Sequence, residues 1–592
     1  MENDEEVSLG LSGTTEVVKR LYKMASDKKS LYLAGIVLVV AAITTLAGPE
    51  IIGYTINHGI EAKNRKVLNI AGAIFVVTII VTTLLSRIQI RMVARIGETT
   101  LRDLRLRLFD HLMKLSLSFF DREATGRLVA RMTSDFDAIE DLVQQGLIVF
   151  ITNGLLFLIA LMILAYLSLP LFALSFITLP PLIFLSKWFQ RESRLAYLKV
   201  RDRIGKTLTT LQEGLAGVKV IQAFGKEDET VELFERQNDA QLGANLKAVS
   251  ISIKYFPVLE STGVITTAAL LGLGGLLVHH HVVTLGTVVA FVLYLNALYD
   301  PIQQMSQLFS QVQSSGAALS KIFAIIDTPT ETPEPSSPKI MPKEGDFVVD
   351  HVSFRYRDDL PYALKDVSLK LNFGERLALV GPTGAGKTTL AKLMARFHVQ
   401  SEGIITFGGI ELKDFTSHDL HANLIAVPQE GFLFAGTVAE NIKLAKPEAT
   451  DDEVRNALIS IGALEIIENL PEGLQTEVYE RGSQLSAGER QLVSLARAAL
   501  LKPSILILDE ATSNLDPGTE SSVEEAMSAL SMGRTVVVIA HRLSTAMRAD
   551  RIAVIAEGRL AEIGTHEELL AQKGVYANLF AAWEANIATF GS

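Results

Sequence analysis

Residues 381 to 388 read Gly-Pro-Thr-Gly-Ala-Gly-Lys-Thr. They match the loop G-x-x-x-x-G-K-[ST], whose glycines let consecutive backbone N–H groups point inward at phosphate oxygens. Lys387 adds a point charge for the outer phosphates, and the Thr388 hydroxyl can hold Mg²⁺. Further along, the apolar run Ile505-Leu506-Ile507-Leu508 ends in two carboxylates, Asp509 and Glu510. One can serve the metal while the other orients or polarises an attacking water. The pair implies a chain that binds a nucleoside triphosphate and hydrolyses it.

The elements that must position these groups follow from how proline and charge are spread. Of the 18 prolines, twelve lie beyond residue 328, and none falls between 51 and 169 or between 182 and 256. Proline-free stretches of that length predict very long helices, because an interior proline costs roughly 3 kcal/mol. Thr328 to Gly345 carries five prolines in a polar, unpatterned stretch and is read as a linker. The expected division is a membrane domain at 1–327, a linker at 328–345 and a nucleotide-binding domain at 346–592.

Four charge-free runs fill the first part: Leu31–Gly48, Val67–Ser86, Leu142–Ser186 and Ser261–Tyr299. The third is 45 residues long, so as a helix it spans roughly twice the ~30 Å of membrane hydrocarbon. It predicts two crossings with a turn near Ser168–Pro170, and the fourth run predicts two more with a turn near His279–Leu285. Six membrane helices result, with both chain ends on the side where ATP is, the cytoplasm. Basic residues at 87–107 agree with that orientation, whereas Lys63, Arg65 and Lys66 depart from the positive-inside tendency. Thr14 to Met24 reads as an amphipathic elbow at the inner interface. The long polar stretches 87–141 and 187–254 predict helices running on into the cytoplasm and turning back. The turns at Phe119–Gly126 and Phe224–Glu227 are candidates to touch the nucleotide module.

Composition narrows the classes. The chain has 592 residues, 48% of them hydrophobic, with net charge −11 and no cysteine. Disulfides, thiolate metal sites and cysteine nucleophiles are excluded, and the acidic balance argues against nucleic acid as a partner. The acidic first ten residues predict no cleavable leader.

The order of motifs resembles an ATP-binding cassette exporter half-transporter. That resemblance implies an all-α six-helix transmembrane domain with long cytoplasmic extensions, followed by an α/β nucleotide-binding domain. It also implies ATP and Mg²⁺ as cofactors. By the resemblance Tyr356 stacks on adenine, and Gly381, Thr383, Gly384, Gly386, Lys387, Thr388 and Thr389 cradle the phosphates. Gln429 reaches metal and water, Thr388 and Asp509 hold Mg²⁺, Glu510 is the catalytic base, and His541 contacts the γ-phosphate. Leu485-Ser486-Ala487-Gly488-Glu489 matches the family signature L-S-G-G-Q, so Ser486 and Gly488 would meet a phosphate held by another subunit. Asp516 lies in the segment crossing between two sites.

Three positions depart from the family pattern: Ala487, Glu489 and Tyr479. One phosphate loop and one signature imply a dimer, homomeric or heteromeric, and the altered signature leans toward an unlike partner. The implied activity is ATP-driven export of drugs or lipids across the cell membrane by alternating access. The alternatives are an importer of the same architecture and a non-transporting regulator. Glu50, Glu260 and Asp300, acidic residues near membrane spans, are candidates for substrate contact.

Overall fold

The computed structural model describes residues 20, 28–143, 147–429, 431–509, 517–540 and 542–590. The chain forms two compact units, Met1–Met113 with Thr125–Thr328, and Lys114–Ala124 with Pro329–Ser592.

The first unit is helical. Its long helices are α1 (Lys28–Thr55), α2 (Arg65–Lys114), α3 (Leu147–Leu167), α4 (Leu169–Ala216), α5 (Glu227–His279) and α6 (Leu285–Ile326). Among the described residues, five helical segments are long and apolar enough to cross a membrane. The sixth helix, α6, has its apolar stretch at Leu285–Pro301. The breaks fall at Ser168 and between His279 and Leu285, where the charge-free runs predicted them. The 50 residues of α2 reach ~75 Å at 1.5 Å per residue, far beyond the hydrocarbon layer. Helix α4 runs through Pro180 and Pro181, α5 through Pro257 and α6 through Pro301. The proline argument for helix length therefore holds as a tendency, since membrane helices accept proline where neighbours satisfy the freed backbone groups. The expected elbow at Thr14–Met24 lies, apart from Arg20, outside the described residues.

With no hydrophobic driving force between helices in lipid, side-chain hydrogen bonds and close backbone approach hold the bundle. The Tyr299 hydroxyl on α6 donates to Thr266 Oγ1 on α5 at 3.0 Å and lies 2.7 Å from Thr178 Oγ1 on α4. Tyr294 on α6 donates to the Leu46 carbonyl of α1 at 2.5 Å. Just past α1, Asn57 Nδ2 donates to Thr284 Oγ1, and Asn57 Oδ1 accepts from Gly286 N, both at 2.8 Å. There the α1 and α6 backbones nearly touch: a Cβ on Gly286 would lie 2.1 Å from the Gly53 carbonyl oxygen. Gly286→Ala is therefore expected to cost about 1–3 kcal/mol by overpacking and to lower the melting temperature in detergent. An unchanged melting curve would show that the helices have room to part.

The second unit is α/β. Its strands are β1 (Phe347–Phe354), β2 (Leu364–Leu371), β3 (Arg376–Val380), β4 (Glu402–Phe407), β5 (Ile410–Glu411), β6 (Leu424–Val427), β7 (Gly436–Thr437), β8 (Glu477–Val478), β9 (Ile505–Asp509), β10 (Thr535–Ile539), β11 (Arg551–Ala556) and β12 (Arg559–Gly564). One sheet has the order β12-β11-β3-β10-β9-β6, parallel except for β12, and a second has the order β2-β1-β4-β5. Strands β9 and β10 read as continuous apolar runs because both faces of a parallel sheet are covered.

The proline-rich stretch after Thr328 is tied down along its length. Arg396 Nη2 donates to the Pro333 carbonyl at 3.4 Å, and Glu334 accepts from Ser417 N at 3.2 Å. Lys339 N donates to the Asp414 carbonyl at 2.9 Å, and Met341, 4% exposed, is core. Backbone and side-chain groups on the α/β unit supply partners that no local pattern in the stretch reveals.

Candidate functional site

Strand β3 leads into the phosphate loop, which opens helix α7 (Lys387–Met394). Gly381, Gly384 and Gly386 have φ of 149°, 79° and 107°. At Gly381 the space is closed as well, since a Cβ would stand 2.0 Å from the Ile555 carbonyl oxygen. Only glycine lets the chain turn out of β3 beside β11. Lys387 is buried, 7% exposed, and its ammonium donates to the carbonyls of Gly381 at 2.8 Å and Pro382 at 3.0 Å. Burial pushes its pKa down, and the nearby Asp509 carboxylate pulls the other way. The loop thus sets a partly desolvated cation at the start of a helix, which suits an anionic ligand. Thr383 and Thr388 are exposed, and Thr389 is buried.

Register places the remaining motifs. Val427 pairs with Leu508, and Asp509 with Ile539, which also pairs with Leu379. Strands β3, β10, β9 and β6 lie side by side in that order and end together. From this row of carboxyl ends issue Gly381, the chain toward His541, Asp509 and Gln429. Ligands in parallel α/β sheets bind outside the carboxyl ends of the strands. Gln429 is exposed at a bend, and Asp509 is half-buried. Glu510, Asp516 and His541 lie outside the described residues.

Tyr356 follows β1 and is 37% exposed. Its hydroxyl lies 2.9 Å from Thr389 Oγ1 on α7. Its ring meets Phe354 and His398 edge-on, at 5.0 and 5.5 Å between centroids. The ring is therefore held in place by the helix that starts at the phosphate loop.

The signature opens helix α8 (Ala487–Leu501) with Ser486 as its N-cap. Ser486 Oγ accepts from Glu489 N at 3.2 Å, and a Glu489 carboxylate oxygen accepts from Ser486 N at 2.7 Å. This is a reciprocal capping box, and its S-x-x-E spacing was legible in the sequence. The Glu489 charge is spent on its own helix end, and the Ser486 hydroxyl proton stays available to a phosphate. Ala487 is the first helical residue and is not among the positive-φ positions, so its methyl is accommodated. Gly488 is buried, and Tyr479 is 54% exposed, before the helix. Glu489→Gln preserves the acceptor and is expected to leave turnover within about twofold. Glu489→Ala is expected to cost about 0.5–2 kcal/mol of stability. Identical melting of all three proteins would refute the capping role.

Among the described residues no group of three or more His, Cys, Asp or Glu could hold a metal. Thr388, Gln429 and Asp509 offer one carboxylate between them. That set suits an ion whose shell is completed by phosphate oxygens and water, as is usual for Mg²⁺.

A family model described as the ABC transporter transmembrane region matches residues 31–302, and a second, ABC transporter, matches residues 364–513. The uncharacterised ABC transporter ATP-binding protein YknV of Bacillus subtilis is 36% identical over 559 residues, covering 94% of this chain and 92% of its own. The chain belongs to the ABC transporter family. An ATP-dependent lipid A-core flippase of Desulfotalea psychrophila is 34% identical over 95% of this chain and 99% of its own. The structure of a bacterial Atm1-family ABC exporter with ATP bound superposes with a TM-score of 0.78 at 27% identity, covering 94% of this chain and 99% of that one. This ABC transporter is an exporter half-transporter, a multi-pass membrane protein whose nucleotide-binding ATPase unit drives transport.

Proposed function

We propose that the protein exports hydrophobic or amphiphilic compounds, lipids or drugs, as a dimer that alternates access to the two sides of the membrane. The observation that carries the reading is a single chain with one phosphate loop and one capped, exposed signature serine. Each ATP then requires the loop of one half and Ser486 and Gly488 of the other. ATP binding favours the closed pair by the contacts made only there, and hydrolysis removes them.

In this reading Tyr356 stacks on adenine. The backbone of Gly381, Gly384 and Gly386, with Thr383, Lys387 and Thr389, holds the phosphates, and Asp516 lies between the two sites. Thr388, Gln429 and Asp509 would hold Mg²⁺, whose charge screens the phosphate oxygens when it is bound. Glu510 takes the proton of the attacking water, and Lys387 and His541 stabilise charge on the transferring phosphoryl group. Helices that outrun the hydrocarbon layer carry head movement into the membrane, with both termini cytoplasmic.

The lean toward an unlike partner rested on the altered signature. With Ala487 helical and Glu489 used as a cap, that ground weakens, and two copies of this chain can form two complete sites. Lipid and drug substrates are supported by the lipid A-core flippase and by a multidrug efflux ATP-binding/permease protein of Mycobacterium bovis, 33% identical over 551 residues that cover 92% of this chain and 46% of its own. Glu50, Glu260 and Asp300 are exposed on their unit, open to a cavity or to lipid.

The test is the purified chain in proteoliposomes with ATP and Mg²⁺, offered a panel of dyes, lipids and peptides. Vectorial, ATP-dependent movement of one class is expected. Sustained turnover with no movement of any class would return the protein to the regulator reading.

A further inference from the structure

We propose that His398 is a positioning residue that joins the adenine platform Tyr356 to Asp121, so that nucleotide binding and the seating of the segment Lys114–Ala124 share one equilibrium. The inference rests on the reading of Tyr356 as the adenine contact.

The segment leaves the end of α2 and returns to the helix beginning at Thr125, yet it packs within the α/β unit. Its short helix Leu117–Arg122 brings Asp121 against two groups at once. Asp121 Oδ2 lies 3.2 Å from Lys392 Nζ and 3.2 Å from His398 Nε2. Lys392 stands on α7, five residues after Lys387. Ser118 donates to Glu331 at 2.5 Å, and Arg122 pairs with the same carboxylate. The segment is therefore gripped at three side chains.

His398 is 2% exposed, with its ring between Phe354, at 5.4 Å, and Tyr356, at 5.5 Å. Neither ring nitrogen has a hydrogen bond of good geometry. The imidazole is placed by the Asp121 charge on one side and by aromatic edges on the other. The packed ring depends on that charge for the one polar contact of its nitrogens, and so for its orientation. Removing the Asp121 carboxylate frees the imidazole to shift, and the Tyr356 ring loses its edge contact. In the opposite direction, a base stacked on Tyr356 fixes the ring and with it the histidine facing Asp121. One carboxylate and one imidazole thus join the segment Lys114–Ala124 to the adenine platform. The bond from Asp121 to Lys392 adds a second route, onto the helix of the phosphate loop.

The test measures KM for ATP and kcat of the full chain in lipid for Asp121→Asn, His398→Phe, their double variant and Tyr356→Ala. Asparagine is isosteric at a side chain 37% exposed, and phenylalanine keeps the aromatic packing. Each single substitution is expected to raise KM about 3- to 10-fold, with kcat changing less than KM. The double variant should match the worse single one, because contacting residues on one route are not additive. Effects that multiply, or an Asp121→Asn enzyme with unaltered KM, overturn the relay. If Tyr356→Ala leaves KM unchanged, the adenine reading falls and takes the relay with it. A raised KM in Tyr356→Ala beside a normal one in Asp121→Asn sinks the relay alone.

Discussion

Glu510→Gln is expected to keep ATP binding and to lower turnover by about 10²- to 10⁴-fold, the range for loss of a positioned general base. The position argues for the role. Strand β9 ends at Asp509, in register with β10, on the sheet edge that also bears the phosphate loop, and Glu510 follows Asp509 directly in the sequence. Glutamine keeps the shape and the hydrogen-bond acceptor but cannot take a proton at neutral pH. Filter binding of labelled ATP alongside phosphate release separates the two effects. Wild-type phosphate release by the variant would remove Glu510 as the base.

The second large effect is expected at Lys387, whose charge the proposed reading sets against the outer phosphates. Lys387→Ala is expected to weaken ATP binding by about 30- to 4,000-fold, the equivalent of the 2–5 kcal/mol typical when one partner of a buried charge contact is truncated. The ammonium is buried against the carbonyls of Gly381 and Pro382, and both neutral contacts can be exchanged for phosphate oxygens, which are stronger partners. Arginine should not rescue, because its planar fork does not fit a pocket shaped around a point charge. Equilibrium titration with a fluorescent ATP analogue gives the number, and near-native affinity in Lys387→Ala would place the phosphates elsewhere.

How much was legible in the chain depends on the range of the interactions involved. The charge-free runs announced their helices and the breaks at Ser168 and after His279, because a backbone in lipid must bond within its own segment. The phosphate loop is contiguous, and glycines, lysine and threonine act within eight positions of one another. The row formed by Gly381, Asp509 and Gln429 could be inferred only through family resemblance, because strand order brings together residues 48 to 128 positions apart.

By itself the sequence determined which segments are helical and apolar, and where the motifs of a nucleotide-binding ATPase unit stand. Those properties are written in neighbouring residues, where periodicity, charge and backbone freedom act locally. The candidate turn at Phe119 was named from the sequence, and the tertiary structure decided that the whole segment Lys114–Ala124 packs in the α/β unit. It also showed the proline-rich stretch bonded to Asp414 and Ser417, and the buried His398 meeting Tyr356 on one side and Asp121 on the other. Each of those contacts joins residues far apart in the chain, and nothing in either stretch records what the fold will set against it.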